Sequence, residues 1–357
     1  MRIAINNSPL KTEHKFRGIG NYTNNLLQCF KKERDIEVVE FTNLSDVKDV
    51  ELVHYPWFDF YFHTLPIKKK FRTVVTIHDT IPLIFPQHFP VGIKGKINLI
   101  LQKLALRNTK LVITDSEVSK IDIIKFLNVD KNKVVVIPLA SDTDFKVLND
   151  SKLLHIKRKY NIPDKFLLYV GDVNWTKNIP FLINGFFKLT QNPDLKDLKL
   201  VLVGAAFLKN VEQIEHPELR SLKEVNILIK RLDLERKVMR VGKLEKQDLV
   251  GFYNLATVYI QPSIYEGFGL SVLEALSCGT PVISSSGGSL QEVGGNASLY
   301  FDPENLSQFI KVTTRVILDK LLLQKMSDLA IKQALKFSWN EVGDQTKEAY
   351  FEVIKDK

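Results

Sequence analysis

Short runs of apolar and β-branched residues recur along the chain, and segments with helical periodicity, such as residues 97–106 and 116–127, lie between several of them. A strand followed by a helix, repeated many times, is typical of α/β proteins with parallel sheets. We therefore predict an α/β fold. The predicted strands are residues 1–5, 72–77, 110–114, 133–137, 166–170, 198–203, 238–241, 258–260 and 281–284.

This pattern lapses into a polar, charged stretch at residues 140–165 and starts again with a strand at Phe166 that runs into Gly171. A chain of 357 residues has the length of roughly two domains. We predict two Rossmann-like domains, residues 1–160 and 161–340, that face a central cleft. Ligands of such folds bind at the carboxyl ends of the strands.

The composition is that of an ordinary globular protein, with 45% hydrophobic and 25% charged residues, which excludes a disordered, collagen-like or coiled-coil chain. The net charge of +9 is unevenly distributed. Residues 1–160 hold 26 basic and 17 acidic side chains, whereas residues 161–357 hold 24 of each. The excess in the first half indicates a polyanionic or membrane-surface partner. Nucleic acid fits less well, because no recognition motif accompanies the charge.

The two cysteines, Cys29 and Cys278, are too few for a disulfide scaffold and favour a reducing compartment. The first residues hold no apolar signal segment, and no apolar run approaches the roughly 20 residues that span a bilayer. We therefore expect a cytoplasmic protein, at most attached to a membrane face.

Two segments of the first half are candidates for ligand binding. Gly18 and Gly20 precede a helix, where their backbone can approach an anion, although a glycine pair there also suits a plain tight turn. His78 follows a strand and would project into the cleft as a hydrogen-bond donor. The alternative is a loop histidine that pairs with Asp79.

Two segments of the second half carry stronger signals. Lys177 lies near the start of a helix, where a cation is unfavourable unless an anion lies between the ammonium and the helix end. Lys177 is therefore a candidate phosphate ligand; the alternative is a solvated surface lysine. Glu266 precedes a helix and Glu274 lies about one turn inside it, in PSIYEGFGLSVLEA. Two carboxylates beside free backbone N–H groups suit the hydroxyls and the diphosphate of a sugar nucleotide. For Glu274 the alternative is an exposed or capping glutamate.

The chain resembles the retaining glycosyltransferases of the two-Rossmann (GT-B) class, family 4, also called glycosyl transferases group 1. Glu266 and Glu274 match that family's two glutamates, within PSIYEGFGLSVLEALSCGTPVISSS. The resemblance extends to GIGNYTNNLL, TIHDTIPLIFP, YVGDVNWTKN and GGSLQEVGGNASLYFDP, and so covers both halves. It is similar above all to bacterial mannosyltransferases of lipopolysaccharide and other surface polysaccharide. The resemblance also implies that a helix at about 340–357 packs back on the first domain.

The resemblance implies a role for each matching residue. The implied catalytic set is His78 beside the transferred sugar, Lys177 on the diphosphate and Glu266 on the sugar hydroxyls. Gly18 and Gly20 would form a loop that faces the donor diphosphate, and Glu274 would hold the ribose diol. The implied donor-binding residues are Gly18, Gly20, Gly171, Lys177, Glu266, Phe268, Gly269, Leu270 and Glu274.

Two positions depart from the family pattern. Asp172 stands where the family usually has an arginine that contacts the diphosphate. Phosphate binding would then depend more on Lys177 and backbone amides, or Lys243 or Arg17 would substitute. Ser271 stands where a proline is common at the helix start. The missing arginine bears on rate and donor affinity more than on the fold.

The expected chemistry needs neither a metal nor a cofactor besides the donor substrate, a GDP- or UDP-sugar. Lys177, the glycine loop and helix N-terminal amides would meet the charge of the departing diphosphate. The resemblance implies retention of configuration, with the leaving phosphate taking the acceptor proton and no protein nucleophile. The triplet Asp142-Thr143-Asp144 has the spacing of a metal site in other glycosyltransferases, but near the domain junction we do not expect it to bind one.

The segment HYPWFDFYFHTLPIKKKFR, residues 54–72, is rich in aromatic and basic residues. This combination suits an anionic membrane surface. The alternative is that the aromatic residues belong to the core and that Lys68–Lys70 form a solvated face.

The expected function is transfer of a hexose, such as mannose from GDP-mannose, to a lipid-linked or polysaccharide acceptor in cell-surface glycan synthesis. One alternative is a nucleotide-sugar epimerase on the same fold. Another is a non-catalytic glycan-binding protein, which the acidic Asp172 favours.

Overall fold

The computed structural model describes residues 1–12, 15, 18–209 and 220–355. The chain divides into two compact units. The first comprises Met1–Ala140 together with the segment that starts at Phe337, and the second comprises Ser141–Lys336. The first boundary therefore lies after residue 140 and not after residue 160 as predicted, because residues 141–160 join the second unit.

All nine predicted strands are present, and three further strands were missed: β2, β3 and β12 in the following order. The strands of the described residues are β1 (Arg2–Asn6), β2 (Glu37–Phe41), β3 (Leu52–Tyr55), β4 (Arg72–Thr76), β5 (Leu111–Thr114), β6 (Val134–Val136), β7 (Phe166–Val170), β8 (Lys199–Val203), β9 (Val238–Val241), β10 (Val258–Gln261), β11 (Val282–Ser285) and β12 (Ser298–Phe301).

Helices connect most of these strands, as expected for parallel pairing. The helices of the described residues are α1 (Gly18–Phe30), α2 (Ile81–Ile84), α3 (Ile93–Arg107), α4 (Glu117–Leu127), α5 (Asp150–Tyr160), α6 (Ile179–Leu189), α7 (Arg220–Arg231), α8 (Lys246–Leu255), α9 (Leu270–Ser277), α10 (Leu290–Gly294), α11 (Leu306–Leu318), α12 (Lys320–Ala334) and α13 (Trp339–Lys355).

The first unit is built on a parallel sheet of six described strands in the order β2-β1-β3-β4-β5-β6. Apolar side chains cover both faces of this sheet, as its nearly continuous apolar strands require. The last helix, α13, packs against α1. Its Tyr350 is fully buried, with Oη 2.6 Å from Nδ1 of His54 in β3.

The second unit has a parallel sheet of six described strands in the order β12-β11-β10-β7-β8-β9. The chain runs outward from β7 to β9 and then returns to the other side of β7 with β10, β11 and β12. The point between β7 and β10, where the strand order reverses, is the place at which open α/β sheets bind ligands. The fully buried rings of Tyr169, Phe186 and Phe309 belong to the core of this unit.

The polar stretch 140–165, predicted as a break in the pattern, contains the helix α5. Asn149 caps this helix by accepting from the N–H of Lys152 at 3.1 Å. Only one residue of α5, Ile156, is buried, and a Cβ added to Gly251 of α8 would lie 2.4 Å from its Cδ1. The close approach of α5 to α8 explains why this stretch belongs to the second unit.

Two sequence expectations concern cysteines and membrane spans. Cys29 and Cys278 are both free. Among the described residues, no helix is both long enough and apolar enough to cross a membrane.

Candidate active site

Three loops of the second unit lie at the carboxyl ends of β7, β10 and β11, around the point where the strand order reverses. The first turns at Gly171, whose φ is +154° and where an added Cβ would lie 2.7 Å from Tyr169 Oη. A larger residue would therefore clash at this turn, which sets the course of the loop toward Lys177.

Lys177 and Glu266 form an ion pair between the first and second of these loops. The side chain of Asn174 accepts from the N–H of Lys177 at 3.2 Å and so closes the short turn Trp175–Lys177. Lys177 Nζ then lies 2.7 Å from Oε1 and 2.9 Å from Oε2 of Glu266, which is only 9% exposed. Lys177 is thus a paired, partly buried lysine and not a solvated surface residue.

Glu266 is fixed by two neutral donors as well as by Lys177. Gln261 Nε2 and Ser263 Oγ donate to Glu266 Oε1 at 2.8 and 2.6 Å. Gln261 is in turn held by the hydroxyl of Tyr259. A carboxylate with three donors is held in one orientation before any ligand arrives, which is the arrangement a binding site requires.

The turn that carries Glu266 is locked by the segment Gly287-Gly288-Ser289. Ser289 Oγ lies 3.0 Å from the carbonyl oxygen of Glu266 and 2.8 Å from that of Phe268. Gly288 has φ of +63°, and a Cβ there would lie 2.3 Å from the Glu266 carbonyl oxygen. These residues were not predicted as part of the site; the signal for them was the glycine pair that precedes α10.

The helix α9 begins directly after this turn. Gly269, with φ of +109°, precedes its first residue, Leu270, and as a glycine it has no side chain with which to cap the helix. Phe268 is buried. The uncapped first turn leaves backbone N–H groups available for an anionic ligand.

Glu274 lies inside α9 and is partly buried. Burial raises the pKa of Glu274 to about 7, against an opposing hydrogen bond from Tyr253, whose Oη donates to Oε2 at 2.8 Å. Burial, followed by the charges of Glu274 and Glu266, raises the pKa of Tyr259. Both glutamates therefore act on the same buried phenol. Glu274 is neither fully exposed nor a cap.

The other residues considered for phosphate binding are Asp172, Lys243 and Arg17. Asp172 has an exposed side chain, and its carbonyl oxygen accepts from Tyr169 Oη at 2.8 Å. Lys243 is exposed and follows β9. Arg17 lies outside the described residues.

His78, in the first unit, follows β4. Its Nδ1 lies 2.7 Å from Asp115 Oδ2 and its Nε2 lies 3.2 Å from the carbonyl oxygen of Pro56. Burial lowers the pKa of His78, but the charge and hydrogen bond of Asp115, with smaller contributions from Asp79 and Pro56, raise it above its usual value. The strong partner is therefore Asp115 and not Asp79. Asp115 was not predicted; the signal was its place at the end of a strand.

Gly18 and Gly20 do not form the predicted loop. The helix α1 begins at Gly18, which is exposed and at which an added Cβ would meet nothing within 4 Å. Gly20 is buried within the first turn of the same helix. The glycine pair belongs to a helix start because the residues that follow it present an apolar face to the core.

The Asp142-Thr143-Asp144 triplet is engaged elsewhere. Lys246 Nζ forms an ion pair with Asp142 and lies 3.4 Å from Asp144 Oδ2. Among the described residues there is no group of three or more His, Cys, Asp or Glu side chains that could hold a metal ion.

The aromatic half of the segment 54–72 lies largely in the core. Phe58 and Phe60 are buried, whereas Phe62 is 68% exposed. Burial lowers the pKa of Lys69 to about 8. The alternative, that the aromatic residues belong to the core, therefore holds for Phe58 and Phe60, whereas Trp57 and Tyr61 are half-buried.

Comparison with known proteins agrees with this geometry. The family model "Glycosyl transferases group 1" matches residues 154–333, and "Glycosyltransferase Family 4" matches residues 46–145. The chain is 29% identical over 310 residues to the O-antigen chain mannosyltransferase B of Escherichia coli, covering 86% of this chain and 75% of that protein. It is 29% identical over 272 residues to the serotype-specific mannosyltransferase WbdA of Escherichia coli, but it spans only 32% of that longer protein.

Solved structures share the fold at low sequence identity. Sucrose-phosphate synthase from Thermosynechococcus elongatus has a TM-score of 0.75 at 17% identity, with 100% of both chains covered. Anabaena HepE, solved in complex with UDP and glucose, has a TM-score of 0.75 at 18% identity, with 99% of this chain and 100% of that chain covered. The chain therefore belongs to the group 1 glycosyl transferases and has the GT-B fold.

Proposed function

We propose that this protein is a retaining, metal-independent hexosyltransferase that transfers mannose from GDP-mannose to a lipid-linked or polysaccharide acceptor in cell-surface glycan synthesis. The observation that carries the proposal is the carboxylate of Glu266, held by Lys177, Gln261 and Ser263 at the point where the strand order of the second unit reverses. The names of the mannosyltransferase relatives support the choice of sugar.

In this proposal the donor lies over the second unit. Glu266 accepts from hydroxyls of the transferred sugar, and Glu274 accepts from the ribose diol. Lys177 contacts the diphosphate, and the backbone at Gly171 and at Phe268–Leu270 lies close to sugar and phosphate. The UDP and glucose in the HepE structure support a nucleotide-sugar donor.

The chemistry follows from where charge develops. The anomeric carbon becomes positive and the departing diphosphate becomes more negative. Lys177 and the amides of the uncapped α9 start stabilise the second charge. The acceptor hydroxyl attacks on the face that the diphosphate leaves, and the diphosphate takes its proton, so no carboxylate has to act as a nucleophile. His78 Nε2 donates to a sugar hydroxyl in place of the Pro56 carbonyl oxygen.

The acceptor sugar is proposed to bind in the first unit. A cavity of about 450 Å³ lies at the carboxyl ends of β1, β2 and β3. Its lining includes the polar side chains of Asn6, Thr42, Asn43 and His63 and the ring of Trp57. Amides and hydroxyls that bind sugar hydroxyls, beside an aromatic ring on which a sugar can stack, suit a carbohydrate. We place the protein in the cytoplasm, peripheral to the inner face of the membrane.

A transfer assay tests the proposal. Purified protein is incubated with GDP-mannose or other sugar nucleotides and a lipid-linked glycan extract, with and without a metal chelator. We expect release of nucleoside diphosphate, unaffected by the chelator, and an axial, retained anomeric bond in the product. Absence of transfer with every donor would contradict it. Epimerisation without acceptor would favour the alternative enzyme, which the transferase relatives do not favour, and donor binding without turnover would favour a glycan-binding protein.

A further inference from the structure

The helix α3 of the first unit has apolar residues on two opposite faces. Toward the core, Gln102, Ala105 and Leu106 are buried. Gln102 Nε2 donates to the carbonyl oxygen of Asp59 at 2.8 Å and to Thr64 Oγ1 at 2.7 Å. These two hydrogen bonds fix the rotation of the helix on the unit, and therefore fix which residues face outward.

The outward face carries an apolar stripe. The exposed fractions are 80% for Ile93, 52% for Ile97, 60% for Ile100 and 36% for Leu104. At 3.6 residues per turn this spacing places the four side chains within an arc of roughly 60°, opposite Gln102. Exposed apolar residues that occur singly need no explanation, whereas a contiguous stripe indicates an interaction surface.

The loop that contains Tyr61 contacts a different side of the helix. Asn98 Nδ2 of α3 donates to the carbonyl oxygen of Tyr61 at 2.7 Å. By helical spacing Asn98 lies on the side of α3 nearer Gln102. We call Ile93, Ile97, Ile100 and Leu104 together the α3 stripe.

Basic residues border the α3 stripe. By helical spacing Lys96, Lys103 and Arg107 lie along one edge, and Lys94 lies near the other. Residues 93–110 contain no aspartate or glutamate. A helix that presents an apolar stripe between cations is typical of binding to the interface of an anionic membrane.

We infer that the α3 stripe and its basic border form a docking surface for an anionic lipid bilayer. The helix lies in the plane of the interface, its isoleucines enter the boundary of the acyl chains, and its cations meet the headgroups. Charge complementarity favours lipid over a second copy of this chain, because two such faces would bring like charges together. The inference specifies the membrane contact of the proposed function but depends on the first unit alone.

The helix α12 of the second unit provides a matched control. Leu321 in α12 is 84% exposed and Leu335, directly after this helix, is 79% exposed, which is more than Ile97, Ile100 or Leu104. Aspartates accompany them, however, at Asp319 and Asp328. Leu335 is therefore a suitable control, because it is an exposed leucine whose surroundings include acidic residues.

Cosedimentation with lipid vesicles tests the inference. The full chain is mixed with vesicles of phosphatidylcholine and phosphatidylglycerol in equal amounts, or of phosphatidylcholine alone. We expect wild type to bind the anionic vesicles, less so with added salt. The double variant Ile97→Gln, Ile100→Gln should lose at least about tenfold in binding. The triple variant Lys96→Gln, Lys103→Gln, Arg107→Gln should lose about fivefold per charge, and Leu335→Gln should bind as wild type.

Circular dichroism and donor binding separate this test from folding and from the proposed function. Both should be unchanged in the double variant, because the substituted side chains are exposed; Ile93→Gln with Leu104→Gln serves as a second variant. Equal vesicle binding by wild type and both double variants, or no binding by wild type, would overturn the inference. The inference would also be overturned if wild type were a dimer in lipid-free solution and the double variant a monomer, since a second copy would then cover the stripe.

Discussion

The pairing of Lys177 with Glu266 satisfies two charges that are costly to bury alone. Removing a carboxylate from water is unfavourable unless a cation and further donors compensate it, and here Lys177, Gln261 and Ser263 do so. In the proposed donor complex, the diphosphate would give the Lys177 ammonium a second anionic partner, while Gln261 and Ser263 would still hold Glu266. The pair would then suit a ligand that presents both phosphate and hydroxyl groups.

Replacing Lys177 tests this pairing. Lys177→Gln should weaken donor binding by about tenfold or more, because a charge-assisted hydrogen bond to phosphate is lost. The matched control is Lys165→Gln, since Lys165 is an exposed lysine of the same unit. Isothermal titration with sugar nucleotides measures both affinities. Equal affinities in the two variants would remove Lys177 from the donor site.

The titration of His78 depends on Asp115. Burial by itself lowers the pKa of His78, and the carboxylate at 2.7 Å raises it above the usual value. The protonated pair therefore stabilises the fold at pH below the ordinary histidine pKa of about 6.5, and this contribution is lost as the pH rises through the higher folded-state pKa.

Asp115→Asn should lower the pKa of His78, because burial then acts without the opposing charge. The change is read from the imidazole resonance of His78 in an NMR pH titration, with His63→Gln as an aid to assignment. The stabilisation of the folded state at low pH should decrease with it. A His78 pKa that stays raised in the variant would mean that Asp115 is not the cause.

At the scale of elements, the turn after β10 and the segment after β11 form one interlocked structure. An added Cβ at Gly287 would lie 2.2 Å from the carbonyl oxygen of Ile264, and one at Gly288 would lie 2.3 Å from that of Glu266. Two backbones can approach this closely only where one of them has no side chain.

Gly288→Ala should therefore disturb both stability and donor binding. The left-handed backbone alone costs about 1–2 kcal/mol for a residue with a Cβ, and the clash adds to this. Gly92→Ala is the control, because a Cβ there would meet nothing within 4 Å. Urea unfolding and donor titration measure the two effects. A Gly288→Ala protein as stable as Gly92→Ala, with wild-type donor affinity, would contradict the interlocked turn.

Most elements of the fold could be predicted because their signal is local. Nine strands are apolar runs, but β2 has exposed glutamates at an edge of the sheet, and β3 contains a histidine. His54 is tolerated in the core only because Thr76 and Tyr350, distant in sequence, complete its hydrogen bonds. The helix α5 was missed because it buries a single side chain. Such cases depend on tertiary partners that periodicity does not report.

The candidate site shows the same division. Lys177, Glu266 and Glu274 could be identified because they lie in contiguous motifs at strand ends. Gln261 and the segment 287–289 could not, because their part is to hold other residues in place across the sheet. Gly18 and Gly20 were placed in a loop because glycine patterns do not distinguish a loop from the start of a helix.

At the scale of the molecule, the end of the chain completes the first unit. The buried side chains of Tyr350, His54, Thr76 and Tyr22 are linked in that order by contacts of 2.6, 2.8 and 3.0 Å. The ring of Tyr22 then meets His78 edge to face, with 4.9 Å between centroids. A line of hydrogen-bonded residues therefore joins α13 to the neighbourhood of His78.

Tyr350→Phe should destabilise the first unit by about 1–2 kcal/mol, because it leaves Nδ1 of the buried His54 without its partner. Donor affinity should not change, because the proposed donor contacts lie in the second unit except for His78, from which Tyr350 is separated by His54, Thr76 and Tyr22. Tyr160→Phe, which loses a less buried hydrogen bond to Asp248, should cost less. Thermal unfolding and donor titration check the three statements together. Lower donor affinity in Tyr350→Phe would contradict the expectation that this substitution in the first unit leaves donor binding unchanged.

Calorimetric titration of sugar nucleotides, GDP-mannose first, against wild type and Glu274→Gln tests the proposed donor site directly. We expect saturable binding by wild type and a loss of about tenfold or more in the variant, since the ribose diol would lose its charged acceptor. We also expect wild-type affinity to fall as the pH drops below the Glu274 pKa of about 7, and this dependence to be reduced in the variant. No saturable binding of any sugar nucleotide, or equal affinity of the two proteins at every pH, would contradict the proposed donor site.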